Sequence, residues 1–89
     1  MEHFKTPYSQ KRENNLIVRT FTQNVDEDDL VWHRDEKDRT VKVVQNIDWQ
    51  FQFDDDIPQQ LKDTIFIPKH VYHRLIKGTG ELVVEIYEI

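Results

Sequence analysis

The chain has 89 residues, a formal net charge of −5 and no cysteine. This length suits one small domain, and the lack of cysteine excludes disulfides and thiolate metal sites. The acidic balance argues against a nucleic-acid partner, and no apolar run reaches the roughly 20 residues of a membrane-spanning helix, so we expect a soluble, cytoplasmic protein without nucleic-acid or membrane partners.

A polar segment without hydrophobic periodicity opens the chain. Residues 1–14 are predicted to form a short arm that packs on the body or on a partner, and residues 15–89 are predicted to form a single domain. His3 lies in this arm, where an exposed and unliganded side chain is the simplest expectation.

Short strands are predicted next, at residues 16–22, 30–33 and 40–44, because these runs are rich in β-branched and aromatic residues. Residues 25–29, between the first two, are compatible with one helical turn. Residues 49–53 alternate strictly, with Trp49, Phe51 and Phe53 on one face and two glutamines on the other. These aromatics, with Trp32 and Phe66, are predicted to form the core; the alternative is that some of them wall an apolar pocket.

The second half of the chain continues the pattern of strands separated by turns. Strands are predicted at residues 57–61, where Pro58 suggests an edge or a bulge, and at residues 64–67, 73–77 and 81–87. Gly78 and Gly80 predict a tight hairpin between the last two strands. Short strands at this spacing are typical of an antiparallel, all-β sandwich or barrel.

Three residues form a candidate metal site. His33 and Asp35 are two positions apart, so on a strand both side chains project from the same face. His73, at the start of a later strand, is the natural third ligand. Two histidines and one carboxylate match the facial triad that binds non-haem Fe(II), and the same set could hold Mn, Ni or Zn. The alternative is a metal-free network in which Asp35 pairs with Lys37 or Arg39.

Residues 62–74 resemble the second sequence motif of the cupin superfamily. Lys62-Asp63 stands where the motif has a Gly-Asp turn, Pro68 matches its Pro, His70 stands at its Gly and His73 matches its metal-binding His.

Residues 31–46 resemble the first cupin motif. His33 matches its first His, Asp35 replaces the second, and Arg39 or Thr40 stands at its Glu. The resemblance implies a small cupin-like β-barrel, that is, an antiparallel jelly roll or double-stranded β-helix, with a divalent metal ion and a small, possibly anionic, ligand inside the barrel.

Two further residues are candidates for ligand binding. Arg39 is predicted to face the pocket, where its guanidinium would grip a carboxylate, and His70 could face the ligand from its loop. Arg34 and Arg74 alternate away from the histidines beside them and are expected outside the pocket. The sequence assigns no reaction. The alternative function is a metal-free binding or assembly module, and a homodimer is expected because the resemblance implies dimerisation through sheet contacts.

Overall fold

The computed structural model describes residues 8–89, which form eight strands and one turn of 3-10 helix at Glu27–Asp29. The strands are β1 (Ser9–Glu13), β2 (Leu16–Phe21), β3 (Arg39–Gln45), β4 (Gln50–Phe53), β5 (Gln59–Gln60), β6 (Thr64–Ile67), β7 (His73–Ile76) and β8 (Leu82–Glu88). Within this part of the chain, no helix is long and apolar enough to cross a membrane.

The strands form two antiparallel sheets that share one core. The larger sheet has the order β1-β2-β8-β3-β6, and the smaller has the order β5-β4-β7. Apolar side chains alternate inward along the central strands, and Ile17, Leu82 and Trp49 are fully buried. The rings of Phe21 and Trp49, one from each side of the core, lie 5.7 Å apart. The predicted antiparallel, all-β fold is therefore confirmed.

Strand β1 lies inside the segment for which the sequence predicts only a polar arm. It pairs in register with β2, from Ser9 opposite Thr20 to Glu13 opposite Leu16. All five of its residues are exposed, so it carries no hydrophobic pattern by which it could be recognised. Its place at the edge of the sheet rests on backbone pairing instead.

One predicted strand and one predicted hairpin are wrong. Residues 30–33 form no strand, because only His33 pairs, in a single bridge with His73. The turn at Gly78 and Gly80 is not a hairpin, because β7 and β8 belong to different sheets. The chain crosses here from one sheet to the other. Asp48 holds this turn by accepting a hydrogen bond of 2.6 Å from the Thr79 N–H.

Two aromatics predicted for the core lie on the surface. Phe66 is 52% exposed, because it alternates outward on β6 between Ile65 and Ile67. Trp32 is 40% exposed and stacks with Arg74, whose guanidinium lies 4.5 Å from the ring centroid.

Candidate metal centre

The fold brings His33, Asp35 and His73 together, and each offers one ligand atom within 4.8 Å of the others. Two backbone hydrogen bonds cause this proximity. The His33 N–H donates to the His73 carbonyl at 3.0 Å, and the His73 N–H donates to the His33 carbonyl at 2.9 Å. Their rings are 4.4 Å apart, and Asp35 follows His33 by two residues.

Both imidazole rings are oriented by backbone carbonyls. The Nδ1 of His33 lies 3.0 Å from the Val31 oxygen, and the Nδ1 of His73 lies 2.8 Å from the Val71 oxygen. A carbonyl oxygen only accepts, so each Nδ1 carries the hydrogen. In the neutral rings, both Nε2 atoms therefore keep a free lone pair. Histidine ligands of metal ions commonly donate their other ring N–H to an acceptor, which fixes the ring in this way.

The Asp35 carboxylate has one oxygen paired and the other without a hydrogen bond. Oδ1 lies 3.2 Å from Nη1 of Arg39, whereas Oδ2 is buried, 3.3 Å from Nε2 of His73, and has no hydrogen-bond partner among residues 8–89. Burial raises the pKa of Asp35, but the neighbouring His73 and the charge of Arg39 lower it by more, so the pKa lies below its usual value. A buried carboxylate oxygen that faces an imidazole nitrogen is satisfied either by a proton on that nitrogen or by a metal ion bound to both atoms.

The loop that carries Asp35 is held by the turn after β6. The His70 N–H donates to the Asp35 carbonyl at 2.8 Å, and the Lys69 N–H donates to the Asp38 side chain at 2.8 Å. His70 has a φ of 68°, in the left-handed region that glycine adopts most readily. This conformation accounts for a Gly at the same position of the motif that the chain resembles.

Arg39 faces the cavity and is engaged by two carboxylates. Besides Asp35, it binds Glu88, whose Oε2 accepts from Nε at 3.0 Å and from Nη2 at 2.7 Å. Arg12 approaches the other oxygen of Glu88 at 3.1 Å. The hydrogen bond from Arg39 is the main reason that the pKa of Glu88 is lowered.

A cavity of about 280 Å³ lies between the sheets and includes all three candidate ligands. Its remaining walls are mostly apolar, with Phe21, Val41, Phe51, Leu75 and Ile86 among them. The ring of Phe51 also stacks on His73, with the ring centroids 5.5 Å apart. The cavity thus has a polar end, where the three candidate ligands lie, and an apolar remainder.

Several predicted or considered residues lie elsewhere. His70 does not line the cavity, and its half-exposed ring contacts Glu36 at 2.7 Å. Arg34 and Arg74 do not line the cavity either. Arg34 lies over the ring of Tyr72, and Arg74 lies over the ring of Trp32. His3 falls outside the described residues.

Three residues beside the cavity are not among those predicted from the sequence. Tyr8 and Arg19 line it, and Gln10 accepts a hydrogen bond of 2.7 Å from Arg19. One indication is present in the sequence. Arg19 is two residues from Ile17 and two from Phe21, so on β2 its side chain projects from the same face as these two buried residues. A charged residue at such a position points into the barrel.

No family model matches the sequence, and no curated protein matches it significantly. Solved structures do share its fold. A cupin domain from Bordetella pertussis Tohama I superposes with a TM-score of 0.63 at 20% identity, over 98% of this chain and 99% of that chain. A cupin-2 domain containing protein from Shewanella frigidimarina NCIMB 400 gives 0.61 at 24% identity, over 93% and 81% of the two chains. Protein NMB1881 from Neisseria meningitidis gives 0.59 at 16% identity, over 100% and 87%. At these identities the likeness establishes the fold alone.

Proposed function

This chain has the cupin fold, and we propose that it binds one divalent metal ion through His33, Asp35 and His73, with a small ligand in the adjoining cavity. One observation carries the proposal. The buried Oδ2 of Asp35 has no hydrogen-bond partner in the described part of the chain, yet it lies 3.3 Å from the Nε2 of His73. A metal ion bound by both atoms would satisfy the carboxylate and the imidazole together.

The spacing of the ligand atoms suits an ion of this kind. Nitrogen and oxygen ligands lie about 2.0–2.2 Å from such metals, so two ligand atoms on one ion are roughly 3–4 Å apart. The three candidate atoms lie within 4.8 Å of one another, so small side-chain rotations bring all of them into range. Two imidazoles and one carboxylate suit Fe, Mn, Ni or Zn, and three protein ligands leave coordination positions open.

The chain's own residues prepare this site and hold it in place. The Val31 and Val71 carbonyls orient the two rings, and Arg39 holds Oδ1 of Asp35 while Oδ2 faces the histidine. The guanidinium is thus compatible with an ion at Oδ2. When bound, the ion would supply a Lewis acid beside the cavity for a ligand in its open positions.

Metal content of the untagged protein tests the proposal. After loading with each of the four ions and removal of unbound metal, we expect about one ion per chain for at least one of them. His73→Ala and Asp35→Asn should lose it, because each removes a ligand. The matched control is His70→Ala, which removes an exposed histidine outside the cavity and should keep the ion. A metal-free wild type, or equal loss in His70→Ala and His73→Ala, would contradict the proposal.

A second candidate function is a metal-free assembly module, and the outer face of the larger sheet favours it. The register aligns Leu16, Tyr87, Thr40 and Phe66 in one row across four strands. Tyr87 is 42% and Phe66 52% exposed, so the row presents apolar surface to solvent. This candidate predicts a homodimer that Phe66→Asp dissociates. Sedimentation of a wild-type monomer at micromolar concentration would count against it.

A further inference from the structure

The cavity contains an arginine, Arg19, that makes no ion pair with a described carboxylate. Arg19 faces inward on β2, between Ile17 (0% exposed) and Phe21 (5% exposed). No carboxylate among residues 8–89 approaches its guanidinium within the 4.0 Å of a salt bridge. A charge in a largely apolar wall is costly unless something pairs with it.

Gln10 on β1 and Tyr8, the residue just before β1, hold this guanidinium in position. Gln10 stands opposite Arg19 in the strand register, and its Oε1 accepts from Nε at 2.7 Å. The ring of Tyr8 lies under the guanidinium, 4.2 Å from the Cζ atom. An amide oxygen and an aromatic face orient the group without cancelling its charge. Nη1 and Nη2 make no hydrogen bond within the described residues, so both remain available to a ligand.

The other arginines near the cavity are already paired. Arg12 and Arg39 are balanced by Glu88 and Asp35, through ion pairs of 2.7–3.2 Å. Among the described residues, Arg19 therefore leaves this group of three arginines and two carboxylates with one excess positive charge. A metal ion at the candidate centre would increase the preference for an anion.

We infer that Arg19 is the anchor for the carboxylate of a small, mostly apolar acid bound in the cavity. This inference rests on the proposed function in one respect, that the same cavity holds the ligand. One guanidinium without an ion pair matches one carboxylate, which it can bind through Nη1 and Nη2 in bidentate fashion. The walls at Phe21, Phe51 and Val84 match an apolar body. At about 30 Å³ per water, the cavity holds the volume of roughly nine waters, which suits an acid of about ten non-hydrogen atoms.

The test compares carboxylates with their uncharged analogues on the metal-free, full-length protein. The probes are benzoate, phenylacetate, hexanoate and octanoate, each paired with its primary amide, and binding is measured by calorimetry. We expect at least one acid to bind more tightly than its amide. Arg19→Met should weaken that acid roughly tenfold to hundredfold, because a charged hydrogen-bonded pair is lost, and leave the amide unchanged. The matched control, Arg34→Met, removes an arginine outside the cavity and should change neither affinity.

A second variant tests the charge without removing the arginine. Gln10→Glu places a carboxylate on Nε of Arg19, and we expect it to weaken the acid about tenfold while the exposed strand β1 stays paired. This variant decides the question if Arg19→Met does not fold. The inference is overturned if no acid binds better than its amide, or if neither variant changes acid binding.

Metal content measured on the same preparations separates the two proposals. A wild type that loads metal but binds acids independently of Arg19 overturns this inference alone. A wild type that loads no metal but binds acids through Arg19 supports this inference and overturns only the metal centre.

Discussion

Glu88 joins two arginines at the polar end of the barrel. It is only 10% exposed and accepts hydrogen bonds from Arg39, which is 12% exposed, and from Arg12. Glu88→Gln keeps the shape but leaves the Arg39 charge with Asp35 alone. We expect a loss of about 1–3 kcal/mol in the free energy of unfolding at neutral pH, measured by urea titration.

The same residue should produce part of the acid sensitivity of the fold. The hydrogen bond from Arg39 lowers the pKa of Glu88 in the folded state, whereas the unfolded value is about 4.3. Glu88 therefore contributes stability above about pH 4.3, and this contribution is lost as the pH falls through the folded pKa.

The melting temperature between about pH 5 and pH 3 measures this contribution. We expect it to fall less steeply in Glu88→Gln than in the wild type. Glu13→Gln, on the exposed strand β1, should keep the full wild-type slope. Equal slopes in the wild type and Glu88→Gln would mean that the pair with Arg39 contributes nothing to acid sensitivity.

Among the elements, β4 and β6 differ in where their aromatic side chains lie. Phe51 on β4 is 3% exposed and packs on Phe53 and His73, whereas Phe66 on β6 is 52% exposed. Phe51→Ala should cost about 3–5 kcal/mol in unfolding free energy, and Phe66→Ala less than about 1 kcal/mol. Denaturant titration of the two variants checks this difference. A similar cost for both would show that Phe66 is covered in solution, as the assembly candidate requires.

The crossing between β7 and β8 depends on Gly78. A Cβ at this position would lie 2.5 Å from the Trp49 nitrogen and 2.6 Å from the Asp48 carbonyl carbon, both backbone atoms that cannot move independently. Gly78→Ala should therefore cost about 2 kcal/mol or more, measured as a lower midpoint of denaturation. Thr79→Ala is the neighbouring control, and it removes only exposed hydrogen bonds to Asp48. A Gly78→Ala variant as stable as Thr79→Ala would contradict the close approach.

The elements were predictable from the sequence where one face of a strand is buried. The alternation of residues 49–53 predicts β4 and its aromatic face, and the structure agrees, with Trp49 and Phe51 buried. In β6 every residue after Thr64 is apolar, so the sequence does not reveal that Phe66 faces outward. Strand β1 is exposed throughout and gives no periodicity. The hairpin expectation failed because the turn residues indicate a reversal but not which sheet the next strand joins.

At the scale of the whole molecule, the candidate site was predictable only where local spacing matched a motif. Spacing suggested His33 and Asp35, the resemblance to the second motif suggested His73, and the long-range bridge between the two histidines brings all three together. The Arg19 environment depends on the pairing of β1 with β2, which places Gln10 opposite it. Because that pairing involves an exposed polar strand, the sequence pattern did not reveal it.

The candidate metal centre joins the two sheets, so metal binding should stabilise the entire fold. His73 begins β7 in the smaller sheet, whereas His33 and Asp35 precede β3 in the larger one. An ion that binds only the folded state adds about 2.7 kcal/mol when its free concentration is a hundred times its dissociation constant. For a domain of this size, that gain raises the melting temperature by about 10 °C or more.

Thermal melts with and without the bound ion measure this gain. We expect the shift in the wild type and in His70→Ala, and its loss in Asp35→Asn and His73→Ala, since these two lack a ligand. Ions bound at the exposed acidic turn of Asp54, Asp55 and Asp56 would behave differently, because the turn has no histidine. A melting-temperature shift that persists in His73→Ala and disappears on mutation of the acidic turn would place the ion at that turn. It would contradict an ion bound by ligands from both sheets.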